Sequence, residues 1–109
     1  MTTTKNKPQT LHAKQIRHLK SLAHHLKPVV QIGKEDLSER VILTTQMELA
    51  NHELIKIKIG NNSGVEKKEA AAQLSQATGG ALVQLIGKTI ILYKENKKIA
   101  KDKRIHLPR

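Results

Sequence analysis

The sequence predicts an α/β chain folded as an α+β sandwich, in which a small mixed four-stranded sheet packs against three helices. Three observations support this fold class. The predicted segments run in the order helix, strand, helix, strand, helix, strand, strand. The strand segments are short and rich in Val and Ile. Gly87-Lys88 joins the last two strands, and its length and composition are typical of a hairpin. Alternating α and β units with a terminal hairpin favour a mixed sheet covered by helices.

The first helix is predicted over residues 11–26, with Thr10 as its N-cap and an end before Pro28. Its apolar residues fall on one arc at helical spacing: Leu11, Ile16, Leu19, Leu22, Ala23 and Leu26. The opposite side carries Lys14, Arg17, His18, Ser21 and His25. Residues 1–27 contain six Lys/Arg and no Asp or Glu. Solvated helix faces usually mix charge signs, so this stripe indicates either a binding surface or an unusually one-sided solvated face.

The stretch from Pro28 to Leu37 predicts a strand over residues 28–32, a turn at Gly33-Lys34 and the start of a second helix over residues 37–51. Asp36 followed by Glu39 is a capping-box pattern, which predicts Asp36 as the N-cap. A strand, a glycine turn with a lysine, and a helix N-terminus together suit a phosphate group, because backbone N–H groups and the helix dipole favour an anion there. An ordinary βα turn is the alternative.

The remaining elements follow from periodicity and turn residues. Residues 54–59 alternate as a strand, with Ile55, Ile57 and Ile59 facing the core and Lys56 and Lys58 on the other face. An alanine-rich third helix is predicted over residues 65–78 with Gly79 just past its end, and two strands over residues 81–86 and 89–94. The chain therefore divides into a flexible basic arm (1–9), one domain (10–94) and a basic tail (95–109), in which Ile105–Pro108 is apolar enough to dock back.

Charge is the strongest compositional signal. The formal net charge is +11, with 20 Lys/Arg against 9 Asp/Glu, and the basic residues crowd the two ends of the chain. A charge of this size predicts a polyanionic partner, either nucleic acid or an anionic membrane surface. Tyr93 is the only aromatic residue, so the aromatic platforms on which many RNA-binding folds stack bases are essentially excluded.

Several function classes are excluded or disfavoured. The absence of cysteine excludes disulfides, zinc ribbons and thiol catalysis, and is compatible with a reducing cytoplasm. His18, His24 and His25 of the first helix have no Asp or Glu nearby in sequence to complete a metal site, and no catalytic constellation occurs. No apolar run is long enough for a membrane span, and the N-terminus lacks the apolar region of a secretory signal. We expect a cytoplasmic protein that is not an enzyme, without cofactor, metal or small-molecule substrate.

Four stretches resemble one family. Within them, Gln15–Leu37 contains the run Lys27-Pro28-Val29-Val30-Gln31-Ile32-Gly33-Lys34, and the others are His52–Lys58, Gly79–Lys94 and Ile105–Pro108. Together they resemble the CRM RNA-binding domain in its stand-alone bacterial YhbY form. The resemblance implies a fold similar to the C-terminal domain of translation initiation factor three. It also implies RNA binding, with ribosomal precursor particles of the large subunit as partner.

The family signature is a GxxG turn after the first strand, comparable to the turn by which KH domains clamp an RNA backbone. Here the turn reads Gly33-Lys34-Glu35-Asp36, so an acid replaces the second glycine. The expected partner is ribosomal RNA. We expect the protein to bind it as a monomer and not to bind a membrane. The expected RNA-binding residues are Lys14, Arg17, Lys20, Gly33, Lys34, Lys88, Lys97 and Lys98. The alternatives are a basic module that docks on an acidic ribosomal or assembly-factor protein, a DNA-binding protein and a peripheral membrane binder.

Overall fold

A computed structural model describes residues 8–109, and it has the predicted order of elements. These are α1 (Ala13–Ala23), β1 (Pro28–Ile32), α2 (Glu39–His52), β2 (Leu54–Ile59), α3 (Lys67–Thr78), β3 (Ala81–Ile86), β4 (Thr89–Tyr93) and a short 3₁₀ helix (Lys101–Lys103). The predicted fold class is confirmed. Residues 1–7 of the predicted basic arm lie outside the described residues.

The sheet has the strand order β1-β2-β4-β3 and is mixed, as predicted. β1 pairs with β2 in parallel, because α2 carries the chain back to the same end of the sheet, whereas β4 pairs antiparallel with both β2 and β3. Both β1 and β2 therefore end where the β3–β4 hairpin turns. We call this end, formed by Gly33–Asp36, Gly60–Gly64 and Gly87-Lys88, the turn end of the sheet.

Helices α2 and α3 cover one face of the sheet. The core on this side contains Ile55, Ile57 and Ile59 of β2, which confirms the predicted inward face of that strand. Leu49 of α2 and Leu74 of α3 pack onto it, and both are buried. On the outer side of α2, Leu43 and Met47 are exposed.

Helix α1 covers the opposite face, so the domain has three layers. Leu19 and Ala23 are completely buried, and they pack in a second core that contains Leu54, Val83, Ile91 and Tyr93. Helix α1 covers only one end of the second face of β2, the face that the sequence predicted to be partly cationic. Its first residue, Leu54, lies beneath α1, whereas Lys58 near the turn end is exposed.

The start of α1 differs from the prediction. The helix begins at Ala13 and its N-cap is His12, not Thr10. The imidazole Nδ1 of His12 accepts a hydrogen bond from the backbone N–H of Gln15 at 3.4 Å, and the Gln15 side-chain oxygen accepts one from the His12 N–H at 3.2 Å. This reciprocal pair is a capping box built on histidine. The helix also ends at Ala23, earlier than predicted, and Leu22 and Leu26 are exposed at its end instead of buried.

The end of α3 is the one predicted. Gly79 follows the last helical residue in the left-handed conformation, with φ of 79°, and its N–H donates to the carbonyl of Ser75. At the other end, Glu66 caps the helix by accepting hydrogen bonds from the N–H groups of Lys68 and Glu69. These two hydrogen bonds lower the pKa of the Glu66 carboxyl, and the bond from the Lys68 N–H has the larger effect.

The C-terminal tail docks back on the domain through its apolar residues, which the composition of Ile105–Pro108 allowed. Ile105 and Leu107 pack against the core beneath α1. Glu53, which is 1% exposed, holds the tail by hydrogen bonds. One of its carboxylate oxygens accepts from the Asn96 N–H at 2.7 Å and the other from the Ile105 N–H at 2.8 Å. The sequence analysis did not single out this buried carboxylate.

Candidate nucleic-acid interface

The cationic stripe of α1 lies on the solvent side of the helix. Lys14, Arg17 and Lys20 are all exposed, while the opposite side of the helix is buried against the sheet. Among residues 8–109, the only contact at ion-pair distance joins His52 Nε2 to Glu48 Oε1 at 3.3 Å. The three α1 cations therefore have no carboxylate at ion-pair distance in the described part of the chain, and their charge is available to an external anion.

The sheet beside α1 is open near the turn end. Register places Gln31, Lys58, Thr89 and Ile86 side by side across the four strands, on the face that α1 covers further along. All of them except Thr89 are exposed. A cleft of about 470 Å³ extends from Gln31 and Lys58 of this row to Lys27, in the segment between α1 and β1. It is lined by Lys27, Pro28, Val29, Val30, Gln31 and Lys58.

Lys27 and Lys58 are therefore basic residues of the candidate surface that sequence reasoning missed as contacts. The alternation of lysine and isoleucine in β2 was the signal for Lys58, because it already placed this residue outside the core. Nothing in the local pattern distinguished Lys27 from the other lysines of the first helix segment.

Backbone hydrogen bonds bring the three turns together at the turn end. The Gly60 N–H donates to the Ile32 carbonyl at 2.8 Å, and the Ile59 N–H donates to the Lys88 carbonyl at 2.8 Å. The ammonium of Lys88 donates to the Asn61 side-chain oxygen at 3.3 Å. Lys34 and Lys88, both exposed, thus project from the same end of the sheet.

The prediction that Asp36 caps α2 is wrong. Ser38 is the N-cap, and its hydroxyl accepts from the Val41 N–H at 3.3 Å. Asp36 instead closes the preceding turn by donating its N–H to the Gly33 carbonyl at 2.9 Å. One oxygen of its carboxylate accepts from the Ser63 hydroxyl at 2.6 Å and from the Gly64 N–H at 3.0 Å. The turn after β1 is thereby fastened to the loop after β2.

The first and last residues of this turn, Gly33 and Asp36, differ in backbone conformation. Asp36 has a φ of 54°, in the left-handed region that favours glycine and that Asp tolerates better than most residues. Gly33 has no positive φ, and a Cβ built on it would come no closer than 3.8 Å to the Asn62 side chain. The backbone at position 33 therefore tolerates a side chain, and its glycine leaves room for a ligand to approach closely.

A family model described as the CRS1 / YhbY (CRM) domain matches residues 11–94. The chain belongs to this family. It is 41% identical over 98 residues to the Probable RNA-binding protein YqeI of Bacillus subtilis (strain 168), covering 90% of this chain and 99% of the relative. An RNA-binding protein of Haemophilus influenzae is 38% identical over 100 residues, which are 92% of this chain and 97% of that protein. The resemblance derived from the sequence is confirmed.

The CRM fold of the chain also matches a solved structure. A Staphylococcus aureus protein determined in solution has 43% sequence identity and a TM-score of 0.74, over 91% of this chain and all of that one. In this CRM domain the second glycine of the GxxG turn is replaced at the position that needs a left-handed backbone, and Asp36 adopts that backbone.

Not all of the expected contacts of the CRM domain lie on one surface. Lys97 and Lys98 follow Asn96, whose side-chain amide donates to the carbonyl of Ala50 near the end of α2. They are therefore at the end of the sheet where β2 begins and β4 finishes, remote from Lys34 and Lys88. The charged stripe of α1, the open sheet and the turn end form one candidate surface, and these two tail lysines are separate from it.

Proposed function

We propose that this CRM domain is a non-enzymatic RNA-binding protein. The observation that carries the proposal is the set of α1 cations that no carboxylate of the described chain neutralises, next to an open sheet face with further lysines. The names of the two relatives described above as RNA-binding proteins support the same class of ligand. The proposed target is structured ribosomal RNA in precursor particles of the large subunit, and the proposed place of action is the cytoplasm.

Phosphate contacts supply most of the affinity in this proposal. Lys14, Arg17 and Lys20 follow one strand of the RNA backbone, and Lys34 and Lys88 hold it at the turn end. Base stacking adds little, because Tyr93 is the only aromatic residue and is 1% exposed. Phosphate contacts fix the position of an RNA without reading its sequence, so the RNA is selected mainly by shape.

We expect RNA affinity to fall steeply with salt, because each neutralised phosphate releases counterions. With about six phosphate contacts, the logarithm of the binding constant should fall against the logarithm of salt concentration with a slope of roughly −4 to −5 for a single strand. Filter binding with ribosomal RNA fragments at several salt concentrations measures this slope. A slope near zero contradicts the mechanism.

The same assay separates the other ligand classes when duplex DNA and anionic vesicles replace the RNA. Preference for vesicles would indicate a peripheral membrane binder; no helix within residues 8–109 is long and apolar enough to cross a bilayer. One observation favours docking on another protein. A cleft of about 470 Å³ at the end of α1 is lined mostly by apolar side chains, including the exposed Leu22, Leu26 and Val29. A protein that binds none of the nucleic acids yet sediments with precursor particles would support this alternative.

The turn after β1 offers a sharper prediction. Asp36→Asn removes a negative charge beside Lys34 and keeps a side chain that tolerates a positive φ and still offers an oxygen to Ser63 and Gly64. We expect RNA affinity to rise by about fivefold, since a unit charge ~4 Å from a phosphate in water is worth ~1 kcal/mol. Affinity is measured by filter binding, and the melting temperature should change little.

Two further variants distinguish charge from backbone freedom at this turn. Asp36→Gly restores the GxxG pattern and suits the positive φ, but it removes both hydrogen bonds to the loop after β2. If RNA affinity rises in Asp36→Gly but not in Asp36→Asn, the cause is the greater freedom of the backbone and not the loss of charge. Lys34→Glu should weaken binding. If all three variants bind like the wild type, the turn is structural and the RNA lies elsewhere.

A further inference from the structure

The docked tail creates a polar cleft, and none of the expected RNA-binding residues lines it. The cleft has a volume of about 420 Å³ and lies between the tail, the start of α1 and the end of β4. The Gln15 side-chain amide donates to the Pro108 carbonyl at 3.1 Å beside it, and Ile105 is held by Glu53. Its principal polar lining residues are Gln15, Tyr93, Glu95, Lys101, Arg104 and His106.

Arg104 lines this cleft, and one N–H donor of its guanidinium is not used within the described part of the chain. Its Nε atom is buried and has no hydrogen-bond acceptor among residues 8–109. A buried polar group without a partner is unfavourable, and a guanidinium N–H is matched best by a carboxylate or phosphate oxygen. Glu95 also lines the cleft, yet it forms no ion pair with Arg104 in the described part of the chain.

The other lining groups also favour an anion. Two of the lining side chains, Lys101 and Arg104, are cationic and one, Glu95, is anionic, while the Glu53 carboxylate behind the tail already accepts two backbone hydrogen bonds. Burial, followed by the negative charges of Glu53 and Glu95, raises the pKa of Tyr93 to about 12. At neutral pH the phenol is therefore uncharged and does not change the charge of the cleft.

We infer that this cleft binds a phosphate group of the RNA backbone, with Arg104 and Lys101 as charged donors. The inference rests on the proposed function and extends it. Gln15, in the first turn of α1, lines the cleft, so the cleft lies beside the start of the helix that carries Lys14, Arg17 and Lys20. An RNA strand that follows α1 thus meets the cleft at one end of the helix and the open sheet at the other.

Two lysines of one element form a matched pair for the test. Lys101 and Lys103 both belong to the 3₁₀ helix and both are exposed, but only Lys101 lines the cleft. Lys101→Gln should weaken binding to a ribosomal RNA fragment several-fold and reduce the magnitude of the salt slope by roughly one. Lys103→Gln removes the same charge and should have a clearly smaller effect. Equal losses in the two variants would overturn the inference, because they would indicate a long-range charge effect.

A measurement on the wild type does not depend on any variant folding. The Arg104 Nε–H resonance is followed by NMR during titration with the RNA fragment and, separately, with inorganic phosphate. The inference requires this resonance to shift with the RNA; a shift with phosphate alone assigns the cleft to free phosphate and overturns it. If the wild type binds the RNA while the resonance stays unchanged, the cleft is not a contact. If the wild type binds no RNA at all, the proposed function itself fails.

Discussion

Reversing two charges on α1, by Lys14→Glu together with Arg17→Glu, should lower RNA affinity by about two orders of magnitude. Both side chains are exposed and neither pairs with a carboxylate in the described chain, so both are available to phosphates. The loss of two charge-assisted hydrogen bonds at ~1.5 kcal/mol each gives roughly 3 kcal/mol, or ~100-fold in the dissociation constant. Filter binding against a ribosomal RNA fragment measures the change, and circular dichroism checks that the fold persists.

A matched control is available on the other side of the sheet. Lys67→Glu with Lys68→Glu changes the net charge by the same amount at exposed positions in the first turn of α3. Acidic residues are favourable near a helix N-terminus, so this variant should remain folded. It should bind RNA far better than the α1 variant does. Equal losses would mean that total charge, and not the surface beside α1, determines the affinity.

Glu53→Ala should give the largest loss of stability, about 3 kcal/mol in the free energy of unfolding. The carboxylate is buried and accepts two backbone hydrogen bonds, from Asn96 and Ile105, and its removal leaves two N–H groups without an acceptor at ~1–3 kcal/mol each. Urea denaturation measures the stability, and hydrogen exchange at the Ile105 amide reports whether the tail detaches.

The neighbouring Glu95 supplies the control for this prediction. Its side chain is exposed, so Glu95→Ala should change the free energy of unfolding by less than about 0.5 kcal/mol. The loss of unfolding free energy in Glu53→Gln should lie between those of Glu53→Ala and Glu95→Ala, because the amide keeps one acceptor oxygen. If Glu53→Ala is as stable as Glu95→Ala, the buried carboxylate does not hold the tail.

Strands were predictable because their signal is local. The strict alternation of β2 and the glycine turn between β3 and β4 predicted both elements, with bounds within one residue of those observed. The two N-caps were not predictable in the same way. Asp36 and Ser38 both suit a cap, and Asp36 is excluded from that role by a contact with Ser63 and Gly64, which lie far away in sequence. His12 caps α1 although histidine is not among the residues usually preferred there.

In the candidate site too, some positions were predictable from local sequence and others depend on contacts between distant parts of the chain. Exposure of Lys14 and Arg17 followed from helical periodicity, whereas Lys20 is exposed although it lies outside the predicted stripe. Lys34 and Lys88 lie in turns that the sequence located. The remote position of Lys97 and Lys98 depends on where the tail docks. That docking depends on Glu53, a single carboxylate between a helix and a strand whose burial no periodic pattern reveals.

The strand order has a consequence for the way the domain forms. β4 is the last strand in the chain, yet it occupies an interior position between β2 and β3. While the protein is being synthesised, β2 therefore lacks one of its two neighbours until the final hairpin has left the ribosome. The sheet closes in a late step that joins distant parts of the chain, and such non-local closure is intrinsically slow. The proposed RNA surface, which spans all four strands, exists only after that step, so we expect the protein to become competent to bind as a whole and not in parts.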